Sequence, residues 1–173
     1  MRLASTLLVA SATLLIACTI PMVGSGPAVS SSAATASGEF VASEGRIFDL
    51  INAQRRHQGL PPLVYNEQLD RMAKIQAKNM ARFQKMAHVL PEASLPTLAD
   101  RAHYVGYPFG RLAENVALGY PSAQTVVEGW MSSKGHRANI LNGDVVETGI
   151  GIARSSAGGL YFCQVFGRRR SSL

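Results

Sequence analysis

At 173 residues the chain has room for one domain with tails. Its residues are 47% hydrophobic and 16% charged, which excludes a disordered polar chain and leaves enough apolar surface for a core. The 17 Lys and Arg outnumber the 11 Asp and Glu, giving a net charge of +6 that suits anionic surfaces; no basic stripe interleaved with aromatics appears, so nucleic acid is not the expected partner.

Residues 1–17 read as a signal peptide. Arg2 supplies the positive start, and Leu7 to Ala17 is an apolar run too short to span a bilayer as a stable helix. The run closes on Leu15-Ile16-Ala17-Cys18, which resembles a bacterial lipobox; the resemblance implies a diacylglycerol on Cys18 and a membrane partner through that anchor. The alternative is an ordinary secretory signal with Cys18 inside its apolar segment. Either way the chain is exported, to the cell envelope or beyond it.

Residues 18–42 are small and polar, with Ser30-Ser31-Ser32-Ala33-Ala34 as the typical stretch. Such a composition cannot bury enough apolar area to offset its ordering entropy, so a disordered tether is expected.

A folded domain is expected over residues 43–167. Ser43 suits a helix cap, and Ile47, Phe48, Leu50 and Ile51 share one helical face that Gly59 and Pro61-Pro62 terminate near His57. Asn66 caps the next helix, with Glu67 and Asp70 in its first turn. Leu69, Met72, Ala73, Gln76, Met80 and Phe83 mark its buried face, and it runs out at Met86-Ala87-His88. Lys74, Lys78 and Arg82 read as solvated cations. Thr97 with Asp100 forms a capping box for a short helix through Ala102.

After a loop enforced by Gly106, Pro108 and Gly110 comes Leu112 to Gly119. Glu114 and Asn115 stand there among apolar residues, an unusual placement. Ser122 caps a helix carrying Val126, Val127, Trp130 and Met131. Ser132 to Gly135 interrupts the helical pattern, and His136 to Leu141 begins it again. Thr148-Gly149-Ile150-Gly151-Ile152 reads as a strand whose second face is nearly bare, so that a helix can approach closely. Leu160 to Phe166 is apolar on both faces and therefore central, antiparallel to its neighbour. Cys163 within it is a small buried hydrophobe, and a disulfide to Cys18 is not expected. Four helical segments before a hairpin covered on both faces define an α+β layered sandwich. Residues 168–173 form a basic C-terminal tail.

Several separated segments together resemble the CAP superfamily of cysteine-rich secretory, antigen 5 and pathogenesis-related proteins, whose module is the SCP domain, in its bacterial extracellular branch. They are IFDLINAQRRHQGLPPLVYNEQL, His88 after the second helix, AENVALG, EGWMSSKGHRANIL, and ETGIGIA with the final aromatic strand. The resemblance implies an α-β-α sandwich with a small antiparallel sheet between helices. It also implies a cleft lined by two His and two Glu, in which some members hold zinc on the His pair. The positions carried over are His88, His136 and Glu114 as candidate metal-binding residues. The second Glu of the pattern is Ser133 here, and the Gly before the first is Ala113. Glu128 sits on another side of its helix and is a poor substitute.

Three functions stay open at this point. The first is binding of a lipid, sterol-like, wall or protein ligand at the cleft, with or without a divalent metal. The second is metal-dependent hydrolysis of a peptide or ester, as the resemblance suggests for some members. The third is a structural envelope protein whose His and Glu only pin loops together. His57 and His103 read as solvated residues; Asn139 reads as holding the turn.

Overall fold

A computed structural model describes residues 32–171. The expected signal peptide, Cys18 and the first part of the tether lie outside the described residues.

The order of elements is α1 (Ser32–His57), β1 (Val64–Tyr65), α2 (Glu67–Phe83), α3 (Leu98–Val105), β2 (Phe109–Leu118), α4 (Ala123–Ser132), α5 (Lys134–Ile140), β3 (Glu147–Arg154) and β4 (Leu160–Arg169). The strands form one sheet in the order β1-β3-β4-β2. Only the two-residue β1 runs parallel to its neighbour. The sheet is the middle layer of an α-β-α sandwich, as expected.

The two faces of β4 divide the core. Phe162 and Phe166 join Ile47 and Ile51 of α1 and Val126, Val127 and Trp130 of α4 in one cluster. Cys163 and Val165 join Leu69, Met72, Ala73, Ala77 and Met80 of α2 in the other. This alternation is why β4 reads as apolar on both faces, and it flanks the strand with β3 and β2. On β3, Ile150 faces the α1–α4 side while Gly149 and Gly151 meet α2. A Cβ at Gly149 would collide with the Leu69–Asp70 backbone, and one at Gly151 with the backbone of Ala73 and Lys74. The bare face is thus the surface on which α2 lies directly.

Expected caps are present at Asn66, Thr97 and Ser122. Asn66 accepts from the backbone N–H of Gln68 and Leu69, and the other two form capping boxes with Asp100 and Thr125. The boundaries differ in five places. The backbone of α1 begins at Ser32 rather than Ser43, so the last part of the expected tether is helical. Helix α2 stops at Phe83, not at Met86, because Gln84 turns left-handed at φ 51° and bonds its N–H to Met80 O. Helix α3 continues past Ala102 to Val105. The break between α4 and α5 is Ser133 alone; Gly135 lies inside α5. Strand β4 extends through Arg169, so the tail begins later than residue 168: Arg168 donates to Asp144 O and Gly143 O, and Arg169 stacks over Tyr107 at 5.0 Å. The largest addition is β2, which was not assigned an element from the sequence: Phe109–Leu118 is an edge strand pairing with β4, and it takes in Gly110 from the expected loop.

Asn52 and Arg55 fasten α1 to the rest. The Asn52 side chain accepts from Leu63 N at 2.8 Å and donates to Leu63 O at 3.1 Å, as a backbone partner would. Arg55, 1% exposed, donates to Pro61 O and to Ile140 O and Asn142 O at the end of α5. A guanidinium there satisfies carbonyls that the helix end leaves without internal partners.

Candidate functional site

Glu114 projects from β2 toward α2 and α3, and its side chain is 3% exposed. A buried carboxylate needs partners for both oxygens. Oε1 lies 3.0 Å from His88 Nδ1. Oε2 accepts from Arg101 of α3 at 2.5 Å, and the Cys163 thiol on β4 lies 3.5 Å from it. The Arg101 side chain is fully buried, and it donates also to Gln76 Oε1 at 2.5 Å. Gln76 in turn donates to Ala87 O at 2.6 Å, holding the segment that carries His88. The chain Arg101–Gln76–Ala87 and the chain Arg101–Glu114–His88 thus fix the same imidazole from its backbone and from its ring. Burial pushes the Cys163 thiol well above its usual range, so the sulfur stays protonated and can donate to Glu114.

His88 itself is open: its side chain is 55% exposed. Its hydrogen bond to Glu114 raises its pKa above the ordinary histidine value, against a partial desolvation that lowers it. A ring that gives Nδ1–H to a carboxylate presents an unprotonated Nε2 when neutral, which is how a metal-ligating or substrate-facing imidazole is commonly held.

His136 lies in the first turns of α5. Its pKa is lowered, first by burial and then by the charge of His88. The helix that carries it is tied to the β2 edge. Asn115 Nδ2 donates to His136 O at 3.2 Å, and Asn139 Nδ2 donates to Glu114 O at 3.2 Å and to Asn115 Oδ1 at 2.9 Å. Trp130 Nε1 donates to Val116 O at 3.3 Å. These side chains cover outward carbonyls that an edge strand would otherwise leave to water.

Of the three residues expected at the site, His88 and Glu114 are in contact, and His136 stands on α5. The sequence reading omitted Arg101, whose only hint was a second polar residue, Gln76, on the apolar face of α2. Asn139, expected to cap or hold a turn, lies inside α5 and ties that helix to β2 instead. Glu128 is exposed on α4 and receives Gln124, so it does not reach the cleft. His57 and His103 are exposed, the latter tilted against Phe109 at 5.6 Å.

A divalent metal finds a partial fit. No group of three or more His, Cys, Asp or Glu side chains among the described residues is arranged to hold one. Both oxygens of Glu114 are already engaged, and the Arg101 guanidinium beside them opposes a second cation. The donors that remain are the imidazoles of His88 and His136, with Glu114 as the group that holds His88.

Residues 48–166 match the model of the CAP family, described as the cysteine-rich secretory protein family. The chain belongs to that family. It is 34% identical over 116 residues to YkwD of Bacillus subtilis, covering 67% of this chain and 44% of that protein. It is 32% identical over 127 residues to the B. subtilis membrane protein YlbC, covering 73% of this chain and 35% of the other. Its span is thus less than half the length of these relatives. Among solved structures, an extracellular SCP-domain protein from Bacillus anthracis superposes with a TM-score of 0.72 at 28% identity, covering 84% of this chain and 45% of that one. An outer surface protein from Borrelia burgdorferi, at 20% identity and a TM-score of 0.65, shares the fold, covering 82% of this chain and 97% of its own.

Proposed function

We propose that this is an exported protein, anchored by a lipid on Cys18, whose cleft binds a lipid, wall or protein ligand outside the cytoplasm without turning it over. The state of Glu114 carries this reading. With both imidazoles on a metal that activates water, hydrolysis of a peptide or ester needs a further carboxylate or imidazole free to take the proton. Glu114 has both oxygens engaged by His88 and Arg101, and the second acidic position of the family pattern is Ser133. What remains is an exposed imidazole held from behind, a half-buried imidazole on α5, and polar side chains at the strand edge. That set suits recognition. In this reading His88 and His136 also hold a divalent metal such as zinc, which supplies a positive centre for an anionic ligand group. The extracellular and surface descriptions of the structural neighbours support the export.

The test is a broad panel of peptide and ester substrates incubated with the purified full chain, with and without chelator, beside His136→Ala. The proposal expects no turnover in any arm and loss of metal from the variant. Turnover that disappears with chelator and with His136→Ala would establish a metal-dependent hydrolase instead. A mass spectrum of the mature N-terminus reads the anchor directly.

A further inference from the structure

Helix α2 carries a second feature that the cleft does not use. Arg71, Lys74 and Lys78 follow at spacings of three and four, so they leave the helix on one side. They line a groove of about 520 Å³, with Ile75 and with Leu95 and Tyr104 from beyond α2. No acidic residue lines it.

The three cations are not equivalent. Lys74 is held by Glu44 at 3.2 Å and Asp70 at 3.0 Å, so its charge is largely answered. Arg71 and Lys78 are exposed, and neither pairs with a carboxylate among the described residues. Two unanswered cations flanking a third favour an anion between them. The rest of the lining is wrong for a free ion. Tyr104 is 63% exposed, and Ile75 and Leu95 add apolar surface beside the charges. An aromatic ring with a polar tip, next to cations and aliphatic side chains, is the composition that sits at the boundary between lipid headgroups and acyl chains.

We propose that this groove takes the headgroup of an anionic glycerophospholipid. Its phosphate diester lies between Arg71 and Lys78, and its glycerol and first acyl carbons lie against Tyr104, Leu95 and Ile75. The site is separate from the His88–Glu114 cleft and does not depend on what that cleft binds.

Flotation of the full chain with vesicles tests it. One set is phosphatidylcholine alone; the other is phosphatidylcholine mixed with phosphatidylglycerol. Any N-terminal anchor contributes equally to both, so the ratio of affinities isolates the headgroup. Arg71→Gln/Lys78→Gln should lower the preference for the anionic vesicles by about 10- to 30-fold. Arg46→Gln/Arg56→Gln removes the same charge from exposed positions on α1 and should change the ratio only slightly. Tyr104→Ser should weaken binding to the anionic vesicles with no change of charge. Equal losses from the two double variants would show that net charge alone acts, and would overturn the site. Displacement by free glycerol phosphate, with no preference for anionic vesicles, would assign the groove to a soluble phosphate and overturn it as well.

Discussion

Arg101 donates to Glu114 at 2.5 Å in the interior, and the carboxylate it holds is the one that grips His88. The pair converts a residue of α3 into a determinant of how an exposed imidazole stands. Removing one member leaves the other charged and without an answer in a dry site, which costs more than the pair contributes. Arg101→Met should destabilise the fold by about 3–5 kcal/mol. Arg101→Met/Glu114→Gln should recover a large part of that loss. Chemical denaturation of the two variants and of Glu114→Gln completes the cycle; equal losses in Arg101→Met and in the double variant would deny the coupling.

Glycines of β3 make an independent prediction about the sandwich. Gly151→Ala places a Cβ into the backbone of Ala73 and Lys74, where no side chain can rotate aside. Helix α2 must then lift from the sheet, at a cost of about 1–3 kcal/mol or more. The denaturation midpoint should fall. Gly143→Ala, where a Cβ meets nothing, serves as the control and should leave the midpoint nearly unchanged.

Arg55 predicts a different failure. Its guanidinium satisfies Pro61 O, Ile140 O and Asn142 O together. Arg55→Leu leaves carbonyls without donors, at about 1–3 kcal/mol for each one that stays buried. Arg55→Lys should restore only part of the loss, because one ammonium cannot reproduce the planar fork. Thermal melts of both variants read the difference.

The two cleft histidines should titrate in opposite directions from an ordinary imidazole. His88 is raised, chiefly by its bond to Glu114. Its folded state holds a proton more tightly than the unfolded chain, so its contribution to stability is complete below the ordinary histidine pKa of about 6.5. That contribution is lost as pH rises through the elevated value. His136 is lowered, chiefly by burial. Its penalty is complete below the depressed value and disappears as pH rises to the ordinary one. Proton NMR of the ring C–H signals should show His136 titrating at lower pH than His88. His88→Ala should move His136 part of the way back up, since burial remains after the neighbouring charge is gone.

Much of this was legible in the sequence because local and tertiary demands agree. The Asn66, Thr97 and Ser122 caps, the alternating glycines of β3 and the two apolar faces of β4 each have one physical explanation, and each appears where expected. Strand β2 was not legible. Its second half, Glu114 to Ala117, is buried on both faces, and its outer edge is covered by Trp130 and Asn139, so no polar alternation marks it. Arg101 was hidden for a related reason. It reaches its partners through tertiary packing, 13 positions from Glu114 and 25 from Gln76, and nothing near it in sequence signals a buried charge. Gly135 looked like a helix breaker, yet α5 tolerates it because Asn115 and Asn139 fix that short helix to β2.

The central claim is that Glu114 serves as the holder of His88, and the proposed function puts His88 and His136 on one metal. Zinc titration of the full chain, followed by the nitrogen signals of the histidine rings, tests this directly. The account predicts that His88 Nε2 and a nitrogen of His136 shift together at one equivalent, while His88 Nδ1 keeps its bond to Glu114. A shift confined to one histidine, or none at all with Glu114→Gln behaving as the natural chain, would contradict it.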